Sequence, residues 1–254
     1  MLNNPYIVNG IIDLNSRSAL PERINYHIDM ATQEEPREKR DYIGASIIGG
    51  SCERQVQYHA MHAERNPGKG FPPRVLRCFE RGHWLEAYAV KLIRKAGFVL
   101  LDIDPTTGKQ WEFKTLGDRV AGHCDGIITW WRGQGESPIP LPALWECKCL
   151  NHKSTAKALK DKIRVSHPKY FYQVQLYMGE FKLSQCLFSI CDADTMEFHH
   201  ELVQFEPAVH ASMLARGQRL INAIDHGEML VRGFMDRTSF DCKYCDWARF
   251  CWEN

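Results

Sequence analysis

From residue 74 to residue 96 the apolar side chains recur at helical spacing, and at Gly97 that pattern gives way to runs of strand length. Val75, Leu76, Phe79, Leu85, Ala89, Leu92, Ile93 and Ala96 stand three or four residues apart, which gathers them on one face of a long amphipathic helix. Short runs follow at 98–103, 111–115, 119–130 and 143–149, broken by a turn at 104–108 and a Gly/Pro loop at 132–140. They read as consecutive strands of one sheet. Helices are expected at 155–163, 169–181 and 207–226, the last with Pro207 in its first turn, and further strands at 185–192 and 197–205. Upstream, Ser51 stands at an N-cap position before a helix over 52–65 that Asn66-Pro67-Gly68-Lys69-Gly70 stops. The order predicts a mixed α/β domain with a central sheet flanked by helices.

A chain of 254 residues, 44% hydrophobic and 25% charged, can bury a sizeable core, and its composition excludes disorder, collagen-like and coiled-coil structure. Residues 33–40 form a charged, linker-like stretch, and 1–45 as a whole receives no role; the expected functional domain is 46–254. The longest apolar runs fall well short of the roughly 18 residues of a membrane span, and the opening residues lack a basic and apolar leader pattern. An intracellular, cytoplasmic protein without a membrane partner is expected. The formal charge is +1, so an anionic partner must be held by a local basic stretch. Ten cysteines in such a compartment point to metal ligation or plain burial rather than disulfides.

In Trp145-Glu146-Cys147-Lys148-Cys149, read as a strand, Glu146 and Lys148 share one face while Cys147 and Cys149 take the other. Earlier, Gly122-His123-Cys124-Asp125-Gly126 sets a carboxylate between glycines that would let a bound group approach the backbone. This set suits phosphodiester hydrolysis. Asp125 and Glu146 would hold Mg²⁺ or Mn²⁺, and Lys148 would orient or help deprotonate the attacking water and offset charge in the transition state. Two helical pairs accompany it: His83 and Glu86 at i,i+3, and Gln173 and Tyr177 at i,i+4.

The order of these elements resembles the RecB-like branch of the PD-(D/E)xK nucleases. The resemblance implies a restriction-endonuclease-like core in which His83 or Glu86 joins Asp125 and Glu146 as metal ligand, Lys148 is catalytic, and Gln173 and Tyr177 support substrate and site. The family often carries its Glu four residues after the His, whereas Ala87 stands there and Glu86 comes at three. His83 matches the RecB-like pattern; Gly82-x-x-x-Glu86 matches the lambda-exonuclease-like one.

Cys242-Lys243-Tyr244-Cys245, followed by Cys251, brings three thiols to one short tail. They need a fourth ligand to close a tetrahedral zinc or a cubane cluster, and Cys52 is the natural candidate. A lone upstream Cys before CxxCx₅C, within Ser46-Ile47-Ile48-Gly49-Gly50-Ser51-Cys52-Glu53-Arg54, is similar to the iron–sulfur branch of the family, which includes the AddB nuclease domain and CRISPR-associated exonucleases. That likeness implies a 4Fe–4S cluster on Cys52, Cys242, Cys245 and Cys251, joining the chain ends across a loop of about 190 residues. Structural zinc is the alternative. Cys78, Cys124, Cys147, Cys149, Cys186 and Cys191 are expected simply to be buried.

After Lys148 the residues Lys153, Lys157, Lys160, Lys162, Arg164 and Lys169 face a single acid, Asp161, which suggests a DNA-tracking stretch with Lys153, Lys157 and Lys160 at its centre. No motif reads base sequence, and no GxxxxGK[ST] supplies a motor. The expectation is a deoxyribonuclease, an exonuclease on single-stranded DNA or exposed ends, drawing any motor from a helicase, recombination or CRISPR partner. An endonuclease or adaptation-like processing nuclease is the near alternative; a metal-stapled, non-catalytic DNA-binding subunit is the distant one.

Overall fold

The computed structural model describes residues 7–8, 11–12, 20–32 and 40–253. The charged stretch at 33–39 lies outside them. In chain order the elements begin with the small antiparallel pair β1 (Ile7–Val8) and β2 (Ile11–Ile12), then α1 (Leu20–Ala31), β3 (Ile43–Gly44), α2 (Ala45–Ile48), α3 (Glu53–Ala60) and α4 (Pro73–Lys95). Next come β4 (Phe98–Leu101), β5 (Glu112–Thr115), β6 (Val120–His123), β7 (Gly126–Trp131) and β8 (Ala143–Leu150). The remainder is α5 (His152–Ser166), α6 (Pro168–Phe181), β9 (Gln185–Asp192), β10 (Phe198–Gln204), α7 (Pro207–Asp225), α8 (Phe240–Lys243) and α9 (Ala248–Glu253).

The expected single sheet is two. A five-stranded sheet runs β10-β9-β8-β7-β4, and a three-stranded one runs β3-β6-β5. The apolar run at 119–130 therefore breaks at Cys124-Asp125, where the chain leaves one sheet for the other. Val120 to Gly122 and Gly126 to Ile128 are each buried without alternation, so periodicity alone could not mark the break. The second sheet also reaches back before the expected boundary at residue 46, because Ile43 and Gly44 pair in parallel with Val120 and Ala121.

β8 and β9 are parallel, and the crossover between them is the helix pair α5 and α6, as a parallel connection demands. Every residue of β9 is buried, which explains its unbroken apolar character. One face of the large sheet packs Leu144, Cys186, Phe188 and Ile190 against Val174 and Met178 of α6 and Leu220 of α7. The other face packs Trp145, Cys147 and Leu187 against Ala89 and Val90 of α4. Glu146 and Lys148 thus belong to the α6 side of β8, while α4 closes the opposite side.

Two local expectations change. Cys52, not Ser51, is the N-cap of α3, and Ser51 Oγ instead donates to Asp241 Oδ1 at 2.8 Å. The helix also ends at Ala60, with His62 at a φ of 51°, so its last part up to residue 65 is a turn. No helix among the described residues is long and apolar enough to cross a membrane.

Candidate active site

The site begins where a ladder stops. β7 and β8 pair from Ile128 opposite Ala143 to Gly126 opposite Trp145, and there the chain before Gly126 turns away to β6. The next free donor on β8, the Cys147 N–H, is taken by the Asp125 carboxylate at 2.8 Å. An unpaired buried N–H would be costly, so this bond fixes Asp125 beside the strand that carries Glu146 and Lys148.

Glu146 is 1% exposed. Its Oε1 accepts from Lys148 Nζ at 2.5 Å and from Gln173 Nε2 at 2.9 Å, and Gln173 also donates to the Tyr177 hydroxyl at 2.9 Å. Gln173 and Tyr177 reach it together because they stand one turn apart on α6. Lys148 Nζ lies 3.8 Å from Asp125 Oδ2 and 5.8 Å from the centre of the Tyr170 ring. Glu146 Oε2, by contrast, is buried and has no hydrogen-bond partner.

The electrostatics follow from this crowding. Burial first, and then the Asp125 charge, hold the Glu146 carboxyl above the usual range, against the opposing pull of Lys148. Glu86, on α4, is raised for the same two reasons, which places its carboxyl within the field of Asp125. Burial would lower the Lys148 ammonium, but Glu146 and Asp125 outweigh it and hold it well above the ordinary lysine range. Two carboxylates thus pair with one ammonium while Glu86 lies in the field of Asp125 and Lys148, a charge set that a divalent cation would relieve. His83 is exposed and lines the open side of the site with Glu86.

The glycines flanking Asp125 serve the protein and not a bound group. A Cβ on Gly122 would lie 2.7 Å from Ala45 Cβ and from the Tyr177 ring, and one on Gly126 would lie 2.7 Å from Leu100 Cδ1. Gly122 thus leaves room for the Tyr177 ring.

Over this floor opens a groove of about 1120 Å³. Glu86, His83 and Lys148 line it, and so do Arg40, Arg65 and Arg81, which are scattered along the sequence and were not singled out there. Lys153, Lys157 and Lys160 are exposed on α5, whose Ser154 reaches the groove wall while those lysines do not. Cys78 and Cys149, expected to be buried, are exposed and half-buried and line the groove; Cys124, Cys147, Cys186 and Cys191 are buried, Cys147 at the groove wall.

At the other end of α3, Cys52, Cys242, Cys245 and Cys251 line a single small cavity, and all four are free thiols. The Gly233 N–H points at Cys52 Sγ from 3.3 Å, in a place where a Cβ would come within 2.9 Å of Cys52 Cα. Arg54 approaches Cys251 Sγ at 3.9 Å. Burial raises the Cys245 thiol, and Cys52, Cys251 and Cys242 add to it while the Trp247 N–H opposes. Among the described residues no three His, Cys, Asp or Glu side chains are already drawn up to hold a metal ion. The cavity nevertheless gathers four thiols with N–H and guanidinium groups around them, donors whose chemistry would suit a thiolate-bound metal or cluster.

No family model and no curated protein matches the chain. It is similar to the crystal structure of an alkaline exonuclease from Laribacter hongkongensis, at 16% identity and a TM-score of 0.48 over 80% of this chain and 93% of that one. It is also similar to a phage related exonuclease from Haemophilus somnus 129PT, at 15% identity and a TM-score of 0.47 over 68% of this chain and 79% of that one.

Proposed function

We propose that the protein is a metal-dependent deoxyribonuclease of the PD-(D/E)xK type, on a restriction-endonuclease-like core, acting as an exonuclease on single-stranded DNA or DNA ends. The observation that carries this reading is Glu146: a buried carboxylate with one oxygen held by Lys148 and Gln173 and the other left without a partner beside two more carboxylates. An orphaned, desolvated carboxylate oxygen is costly unless a ligand completes it.

In this reading Asp125, Glu146 and Glu86 would hold Mg²⁺ or Mn²⁺, with His83 at the rim of the groove as a further candidate ligand. The bound ion supplies Lewis acidity to a phosphate oxygen and acidity to water. Lys148, kept protonated by its two carboxylates, acts as a donor: it orients the attacking water and offsets the negative charge that builds at phosphorus. Gln173 fixes the Glu146 carboxylate, and Tyr177 fixes Gln173. Lys153, Lys157 and Lys160 add exposed positive charge on α5 next to the groove. The four cysteines would hold a 4Fe–4S cluster, which would fasten the C-terminal tail to the start of α3.

The test is cleavage of end-labelled linear single-stranded DNA by anaerobically purified protein in Mg²⁺, Mn²⁺ or EDTA, with circular DNA alongside. Cleavage is expected with either metal, on the linear substrate alone, and to fall about 10³-fold in Asp125→Ala and Lys148→Ala without loss of fold. Full activity in Lys148→Ala, or activity in EDTA, would overturn the assignment.

A further inference from the structure

The groove wall beside the carboxylates exposes an aromatic pair. Phe71, in the loop before α4, and Phe79, within α4, meet edge to face with ring centres 4.9 Å apart, and they are 39% and 40% exposed. Core packing would bury such a pair; here both rings line the open groove. The Arg65 guanidinium lies 5.4 Å from the centre of the Phe71 ring while its Nε pairs with Asp246 at 3.2 Å, so it is a fixed positive group at the aromatic end.

Nearer the carboxylates stands Arg81, two residues after Phe79 on the same helix. It is half-buried, its guanidinium engages the Cys149 thiol by a hydrogen bond and by charge, and its Nε is buried without a hydrogen-bond partner. A buried guanidinium N–H left unmet costs free energy, and phosphate oxygens are the acceptors that its fork fits best. Arg81 and Lys148 line the same groove, with Glu86 its acidic member.

We infer that this groove takes its nucleic acid as a single strand, with a phosphate on Arg81 next to Lys148 and unpaired bases stacked on Phe79 and Phe71. The inference rests on reading the Glu146 site as the place of phosphodiester cleavage, and it names the groups that present the substrate there. Aromatic faces engage only bases whose own faces are free, so a paired duplex cannot use them, whereas a single strand gains from stacking at any sequence. The basic side chains supply the electrostatic part, which weakens with salt. Because the positive groups come from four separate stretches of chain, the concavity and not any local run of lysines creates the track.

The test separates binding from chemistry. Anisotropy of a labelled oligothymidylate, and of the same strand annealed into a flush duplex, is measured in EDTA with the full chain, with Phe79→Ala, Phe79→Leu and Arg81→Gln, and with Lys109→Gln, outside the groove, as control. The single strand is expected to bind at least about tenfold more tightly than the duplex, with Phe79→Ala and Arg81→Gln each costing about tenfold for the single strand alone. Phe79→Leu keeps the apolar bulk that holds the helix, loses stacking, and is expected to show most of the same loss. In Mg²⁺ the same variants raise KM for short single strands and leave kcat close to that of the parent. Binding by the parent without cleavage in any metal would sink the nuclease reading and leave the groove assignment standing. Metal-dependent cleavage with unchanged affinity and KM in Phe79→Leu and Arg81→Gln, or equal affinity for the flush duplex, would overturn the groove assignment and leave the nuclease reading standing.

Discussion

Glu146 lies in a strand that buries six of its eight residues, with α6 behind it, whereas Cys242, Cys245 and Cys251 sit on a tail whose two short helices bury no residue of their own. The carboxylate floor is set by the core: the ladder end fixes Asp125, and α6 delivers Gln173 and Tyr177. The tail is held by a few anchors. Trp247, 5% exposed, stacks on Tyr58 at 5.9 Å and donates to Ala63 O at 3.0 Å, and Asn66 bonds to Asp246 O and the Arg249 N–H. A cluster bound in the cysteine cavity would add to these anchors. The anchors also brace residues 58–66, and His59, His62 and Arg65 of that stretch form one wall of the groove. In this account one region performs the chemistry and the other keeps the groove in shape.

The largest effect expected from breaking this division is at the tail. Cys245→Ser is expected to lower stability by about 3 kcal/mol, the scale of losing a long-loop crosslink, and to weaken single-strand binding more than tenfold. Thermal unfolding and anisotropy read the two effects, and an unchanged melting temperature would mean that the tail docks without a cluster. At the carboxylate floor, Gly122→Ala is expected to cost about 2 kcal/mol, because the new methyl meets Ala45 and the Tyr177 ring at 2.7 Å. Its cleavage rate should fall together with its denaturant midpoint, since a displaced Tyr177 no longer seats Gln173.

The smallest effect sharpens the comparison at a third place that serves neither region. His152, at the start of α5, bonds to Asp192 Oδ2 at 2.7 Å, and that hydrogen bond followed by the Asp192 charge raises its pKa. Burial would raise Asp192, but the Asp194 N–H, His152 and the Thr195 N–H outweigh it and hold the carboxyl below its usual range. The histidine's contribution is complete below its unfolded value of about 6.5 and is lost as pH rises through the raised folded value. The carboxylate's is complete above its unfolded value of about 3.9 and is lost as pH falls through the depressed one. His152→Gln should therefore cost a small amount of stability between roughly pH 4 and 6.5 and progressively less above it. A cost that stays constant to pH 9 would mean the pair contributes no charge effect.

Much of this was legible in the sequence because its signals are local. The helix of residues 74–96, the buried run of β9 and the Glu-x-Lys alternation in β8 each carry their own period, and the structure brings Asp125, Glu146, Lys148, Gln173 and Tyr177 together. The sheet change at Cys124-Asp125 was not legible, since buried residues without alternation stand on both sides of it, Val120 to Gly122 and Gly126 to Ile128. Nor was the parallel pairing of Ile43 with Val120, which joins residues far apart in sequence. The groove escaped for another reason: sequence density found the lysines of α5, but density along a helix reports a solvated face, while Arg40, Arg65 and Arg81 converge only after folding.

The most direct test of the central claim compares Lys148→Ala and Cys245→Ser in one experiment: single-strand affinity in EDTA and cleavage rate at saturating DNA in Mg²⁺. The account predicts that Lys148→Ala binds like the parent and cleaves about 10³-fold more slowly, while Cys245→Ser binds poorly and cleaves near the parent rate once saturated. Parent-like cleavage by Lys148→Ala, or a Cys245→Ser protein that binds normally and fails only in the chemical step, would contradict it.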